Sequence, residues 1–109
     1  MEDSERRARA RASYLWRTYG LKPGEFELMA ADGCQACGAE PKPGRSLHVD
    51  HEHVRGYKRM TPDERRKYVR GVLCWACNSV LRARVTVARL HALAEYLARY
   101  LAKKEQSVG

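Results

Sequence analysis

Apolar positions in this chain are sparse, and their spacing changes character from one segment to the next. Residues 4–19 form an Arg- and Ala-rich stretch that favours helix, with Tyr14, Leu15 and Tyr19 as apolar positions and Trp16 beside them. Gly20 supplies a C-terminal stop. Pro23, followed by Phe26, Leu28 and Met29, predicts a second short helix over residues 23–31, with those three side chains available for burial. Asp32-Gly33 then turns the chain toward Cys34.

Beyond that turn the helical spacing is lost. Pro41, Pro43 and Gly44 mark a loop, and residues 46–51 read as a short strand with Leu47 and Val49 on one face. Residues 69–74 are its expected partner. Thr61-Pro62-Asp63-Glu64 has the form of a capping box with Pro at the first helical position, which predicts a helix of one or two turns ending near Tyr68. A further helical segment is expected from Asn78 to about Arg82. Thr86 is then placed to cap a final helix reaching Lys103 or Lys104, whose Leu90, Leu93, Ala94, Leu97 and Leu101 recur at three- and four-residue intervals. Residues 106–109 are expected to fray. Tyr14, Trp16 and Trp75 are read as core side chains rather than surfaces for stacked bases.

At 109 residues the chain is expected to be a single domain with a thin core, one that hides only about 65% of its unfolded surface and would benefit from a staple. Lys and Arg number 21 against 13 Asp and Glu, a net charge of +8. Such a field attracts polyanions, and nucleic acid is the commonest. No apolar run approaches the ~20 residues of a membrane span, and the N-terminus lacks the features of a secretory or transit signal. The expectation is a soluble cytoplasmic protein with no membrane partner.

All four cysteines fall in two C-x2-C pairs, Cys34/Cys37 and Cys74/Cys77, separated by 36 residues. Two such knuckles brought together offer four thiolates in a tetrahedron, the coordination that structural zinc prefers. A disulfide framework would scatter the cysteines and conflicts with an intracellular chain. With sulfur at every position, the zinc holds the fold and has no open site for catalysis.

Three of the four histidines crowd into Leu47-His48-Val49-Asp50-His51-Glu52-His53, between the two knuckles, and Asn78 directly follows the last cysteine. Closing the zinc site would draw Asn78 toward the histidine-bearing strand. Asp50 and the Asn78 side-chain oxygen are hard ligands suited to Mg2+, and an imidazole is the unperturbed side chain able to take a proton from water near neutrality. Strict strand alternation places His51 and His53 on one face and Asp50 on the other. Convergence therefore requires the strand to end or bulge near Asp50.

These residues, with Val69-Arg70-Gly71-Val72-Leu73-Cys74-Trp75-Ala76-Cys77-Asn78 and the lead-in Tyr19-Gly20-Leu21, Glu25-Phe26 and Cys34/Cys37, resemble the recombination endonuclease VII branch of the HNH (His-Me finger) nucleases over residues 19–100. The resemblance implies an α+β, mostly helical fold, in which a zinc-stapled ββα-metal core is flanked by N- and C-terminal helices. The expected division is helices in residues 1–33, the core in 34–82 with a basic insert at 54–68, and the C-terminal helix in 86–104. The resemblance further implies His51 as the general base, Asp50 and Asn78 as holders of a catalytic Mg2+ or Mn2+, and His53 as an assistant. It implies a DNA substrate cut to 5′-phosphate and 3′-hydroxyl ends, homodimerisation through helices, and a bacterial or phage-infected host cell.

The 15-residue insert between the last clustered histidine and the second strand departs from the short turn of that family. It carries Arg55, Lys58, Arg59, Arg65, Arg66 and Lys67 against Asp63 and Glu64, a local charge of +4, and reads as a DNA-contacting arm, with Arg70 beyond it. His48 and His91 are read as bystanders. The alternative function is a non-catalytic zinc-knuckle module that binds nucleic acid. Charge and cysteines fit both readings, whereas a mere binder has no need of Asp50, His51, His53 and Asn78 together. Junctions, branched duplexes, mismatches, nicks and specific duplex sites all stay open as substrates.

Overall fold

The computed structural model describes residues 2–81 and 84–108. Helix α1 spans Asp3–Tyr19 and helix α2 Glu25–Met29. Strand β1 is His48–His51, a 3-10 turn covers Tyr57–Arg59, and helix α3 is Pro62–Arg66. Strand β2 (Val69–Leu73), helix α4 (Trp75–Val80) and helix α5 (Val87–Val108) complete the chain. The fold is α+β, about half helical, with one antiparallel two-stranded sheet.

The turn chemistry acts where the sequence places it. Gly20 caps α1 in the left-handed region at φ 73°, and a Cβ there would lie 2.0 Å from the Pro62 carbonyl oxygen, so glycine allows both the reversal and the close approach of α3 to the end of α1. Thr61 caps α3, its hydroxyl accepting from the Glu64 backbone N–H at 3.2 Å. The Thr86 hydroxyl likewise accepts from the Arg89 N–H at 3.1 Å and opens α5. The α4 helix begins earlier than expected: Cys74 is its N-cap, so Asn78 lies within the helix rather than at its opening. Arg82, its expected end, falls outside the described residues. At the other terminus α5 runs on through Val108, past the expected fraying point at residue 106.

The core is small. Leu15, Leu21, Phe26, Cys34, Leu47, Val72 and Leu73 are buried, with Tyr19, Val49, Val69, Cys74 and Cys77 packed at its margin. The cysteines thus complete the interior, as a thin core requires. Three expected core side chains are outside it: Tyr14, Leu28 and Trp75 are exposed. A five-residue α2 turns only one face inward and Phe26 takes it, while in α4 the inward positions belong to the cysteines and Trp75 faces solvent.

Helix α5 stands apart. Among the described residues it forms no extended packing with another element, and Leu93, Tyr96, Leu97, Tyr100 and Leu101 are exposed along it. The molecule measures 65 × 34 × 17 Å and has a radius of gyration of 18.2 Å, well above the roughly 13 Å of a compact chain of this length.

Candidate active site and metal centre

Two tight knuckles assemble the cysteine cluster. In the first, the Cys34 N–H donates to Ala39 O at 2.9 Å, the Gly38 N–H to Cys34 O at 2.8 Å, and the Ala39 N–H to Cys37 Sγ at 3.4 Å. In the second, Cys74 caps α4 and its Sγ accepts from the Cys77 N–H at 3.5 Å. The four sulfurs lie within 4.8 Å of one another, and none is in a disulfide. Cys37 Sγ and Cys74 Sγ are 3.8 Å apart, matching the edge of about 3.8 Å that Zn–S bonds of about 2.3 Å give a tetrahedron. Backbone N–H groups of Cys37, Cys74 and Ala36 hold the Cys34 thiol down at about 6, whereas hydrogen bonding with Cys74, Cys37 and Cys34 pushes Cys77 up to about 12. Four thiolates this close repel one another unless a cation binds, and the donor set and spacing fit zinc.

Gln35, inside the first knuckle, ties this cluster to the sheet. Its backbone N–H donates to Val72 O at 3.0 Å, and its side-chain oxygen accepts from the Val72 N–H at 2.9 Å. A Cβ on Gly71 would lie 2.1 Å from that oxygen, so the glycine in β2 makes room for the amide.

The sheet carries the histidines. Asp50 pairs with Gly71 but His51 pairs with Val69, a register shift that leaves Arg70 without a partner across the sheet. The extra residue lies on β2, not on the histidine-bearing strand, and β1 itself ends at His51, one residue after Asp50. Asp50 is buried, and both its carboxylate oxygens accept from Arg70, Oδ2 from Nε and Oδ1 from Nη2, each at 2.8 Å. Asp50, His51, His53 and Asn78, with Tyr19 and Ser79, line one cleft of about 370 Å³. His51 and His53 also border a larger cleft of about 620 Å³, whose opposite wall is the insert, with Arg55, Tyr57, Lys58 and Arg59.

His51 is half-buried among rings. Tyr57 stacks on it (centroids 4.6 Å, interplanar angle 26°), His53 meets it edge-on at 4.9 Å, and Tyr19 is tilted against it at 5.6 Å. Burial, with the like charge of His53 and of Arg70, lowers its pKa below the ordinary histidine value, while Asp50 pulls the other way. Tyr19, half-buried and hydrogen-bonded with Tyr14, has its pKa raised well above the usual tyrosine value, mainly by burial.

Of the predicted DNA contacts, Arg55, Lys58 and Arg59 line the larger cleft and Lys67 is exposed. The other three cations have partners inside the fold. Arg66 donates to Glu25 Oε2 at 2.8 Å through Nε, holding that carboxyl below its usual range. Arg70 is paired with Asp50, and Arg65 donates to three backbone carbonyls, those of Tyr57, Lys58 and Arg17. His48 and His91 are exposed and line neither cleft. Sequence reasoning missed Tyr57 and Gln35. The one available signal for Tyr57 was its position as the first aromatic residue after the histidine cluster, in an otherwise basic stretch.

A four-sulfur knuckle pair clasps a short sheet, and a carboxylate, two imidazoles and a carboxamide line one cleft beside it, which defines an α+β protein with a four-cysteine cluster. Residues 8–99 match the recombination endonuclease VII family, and the chain belongs to it. It is therefore a phosphodiester hydrolase acting on DNA. Comparison with curated proteins and with solved structures finds no significant match. No helix among the described residues is long and apolar enough to cross a membrane.

Proposed function

We propose that this protein is a metal-dependent DNA endonuclease with a ββα-metal (HNH, His-Me finger) core, acting on junctions or other branched DNA as a homodimer. The observation that carries the reading is the single cleft shared by Asp50, His51, His53 and Asn78.

β1 ends just after Asp50, with His53 beyond the strand, and α4 carries Asn78 to the same cleft. Asp50 and the Asn78 carboxamide oxygen are hard donors fitted to Mg2+ or Mn2+. Both Asp50 oxygens already accept from Arg70, so Asp50 would offer a cation only the acceptor capacity that this pairing leaves. When bound, the ion supplies charge stabilisation at the phosphate and the departing oxygen.

His51, kept neutral by burial, accepts a proton from water as that water attacks phosphorus. The bond from phosphorus to the 3′ oxygen breaks as the new one forms, and the departing oxygen takes a proton from solvent, leaving a 5′-phosphate and a 3′-hydroxyl. His53, at the same cleft, would polarise the scissile phosphate or serve as a further ligand to the cation. Arg55, Lys58 and Arg59 attract the flanking backbone along the larger cleft. Zinc in the four-cysteine cluster holds both halves of the site and takes no part in the chemistry.

The test is to incubate the protein with plasmid, linear duplex and four-way junction DNA in Mg2+, Mn2+ or EDTA. Cutting is expected with either metal and not with EDTA. His51→Ala should lower the rate by about 100-fold or more while zinc content and DNA binding persist. Binding of all three DNAs with no cutting of any would favour the non-catalytic zinc-knuckle module instead.

A further inference from the structure

The clearest unexplained feature is how the His51 ring is held. An imidazole acting as a base is usually oriented by a hydrogen bond from its other nitrogen to a carboxylate or carbonyl. Among the described residues the His51 ring has no such bond, and its contacts are aromatic. Only Tyr57 lies nearly parallel to it, so only Tyr57 fixes the plane in which both nitrogens lie.

Tyr57 is itself anchored at both ends. Its hydroxyl donates to the Thr18 carbonyl in the last turn of α1. Its own carbonyl accepts from Arg65 Nε at 3.1 Å, and the next carbonyl, that of Lys58, accepts from Nη2 at 2.9 Å. The third donor, Nη1, reaches Arg17 O, and the guanidinium lies 5.1 Å over the Tyr57 ring. Arg65 sits on α3, which packs on the end of α1 beside Gly20. The insert is thus folded back as a strut from α1 and α3 to the histidine, and a cation expected on the DNA surface serves as its pin.

We infer that Tyr57 is a positioning residue that sets the plane of the His51 imidazole, with Arg65 holding Tyr57 in place. The inference rests on the reading of His51 as the base. Tyr57 has no role in proton transfer; it keeps His51 within reach of the attacking water, and modest misplacement of a reacting group costs up to about 100-fold in rate.

The experiment combines kinetics with NMR of the histidine ring protons in the zinc-loaded protein. Tyr57→Leu is expected to lower kcat by about 10- to 100-fold with KM little changed, and Tyr57→Phe, which keeps the ring, to restore most of the rate. Arg65→Lys keeps the charge but gathers its donors on one nitrogen and lacks the planar fork that reaches three separated carbonyls, so it should resemble Tyr57→Leu. In the NMR spectrum the His51 signals, assigned by their loss in His51→Asn, should hold their positions in Tyr57→Phe and move in Tyr57→Leu, where the ring current of the stacked neighbour is gone. Circular dichroism and zinc content check that each variant is folded. A rise in KM at constant kcat would make Tyr57 a DNA contact and overturn the inference, as would His51 signals that stay put in Tyr57→Leu. If the wild-type protein cuts no DNA, the endonuclease reading fails, while the spectra still decide whether Tyr57 holds the ring.

Discussion

An imidazole can serve as a base only while it is uncharged, so the surroundings that keep His51 neutral matter as much as its position. Burial and the nearby charges of His53 and Arg70 disfavour the protonated form, and their sum outweighs Asp50. The acid limb of kcat/KM should therefore inflect below about 6.5, the ordinary histidine value, and move upward in His53→Ala, where one repulsive partner is gone. A pH–rate profile checks this, and an inflection above the ordinary value would contradict it. The sign for stability follows: the unfolded chain takes the proton more readily, so His51 destabilises the fold as pH falls through the unfolded-state value. The four polar residues of the cleft were legible in the sequence because their types are rare together and the knuckles confine them. Tyr57 was not, because its ring reaches His51 only after the insert folds back.

At the level of elements, sequence signals worked where one residue imposes a local geometry. Gly20 stops α1, Thr61 caps α3 and Thr86 caps α5 as their chemistry dictates. The break in the sheet could be required from the sequence but not placed on β2, because it depends on Arg70 meeting Asp50 across the strands. Burial was misjudged for Leu28 and Trp75, since helices this short face the core with one side and Phe26 and the cysteines occupy it. Cys74 is at once a prospective metal ligand and the cap of α4. Cys74→Ser should abolish zinc binding and unfold the chain, because zinc contributes on the order of 10 kcal/mol to such small folds. Metal analysis with circular dichroism checks it, and a folded, zinc-free variant would remove the structural role from the cluster.

For the molecule as a whole, most of the exposed large apolar side chains among the described residues lie on α5. Its leucine and tyrosine row faces solvent on a helix that, among the described residues, forms no extended packing with another element, and a row of that kind suits an interaction surface. Sedimentation should show a dimer, and Leu97→Glu with Leu101→Glu should yield a folded monomer; a wild-type monomer at micromolar concentration would count against pairing through α5. The net charge of +8 sets a second whole-molecule expectation. DNA binding should weaken steeply with salt, and charge reversal at Lys58 and Arg59 should reduce the slope by about 2 in log–log form. The length of α5 was legible from its leucine spacing, but its isolation was not, because spacing gives the apolar face without saying what covers it.

The short bridge through Gln35 has its own consequence. It joins the sulfur cage to the strand that lies opposite Asp50, so the cage and the cleft beside Asp50 form one mechanical unit. Drawing a cation off the thiols with a chelator should therefore slacken the sheet along with the knuckles, so that the cleft is lost together with the cage.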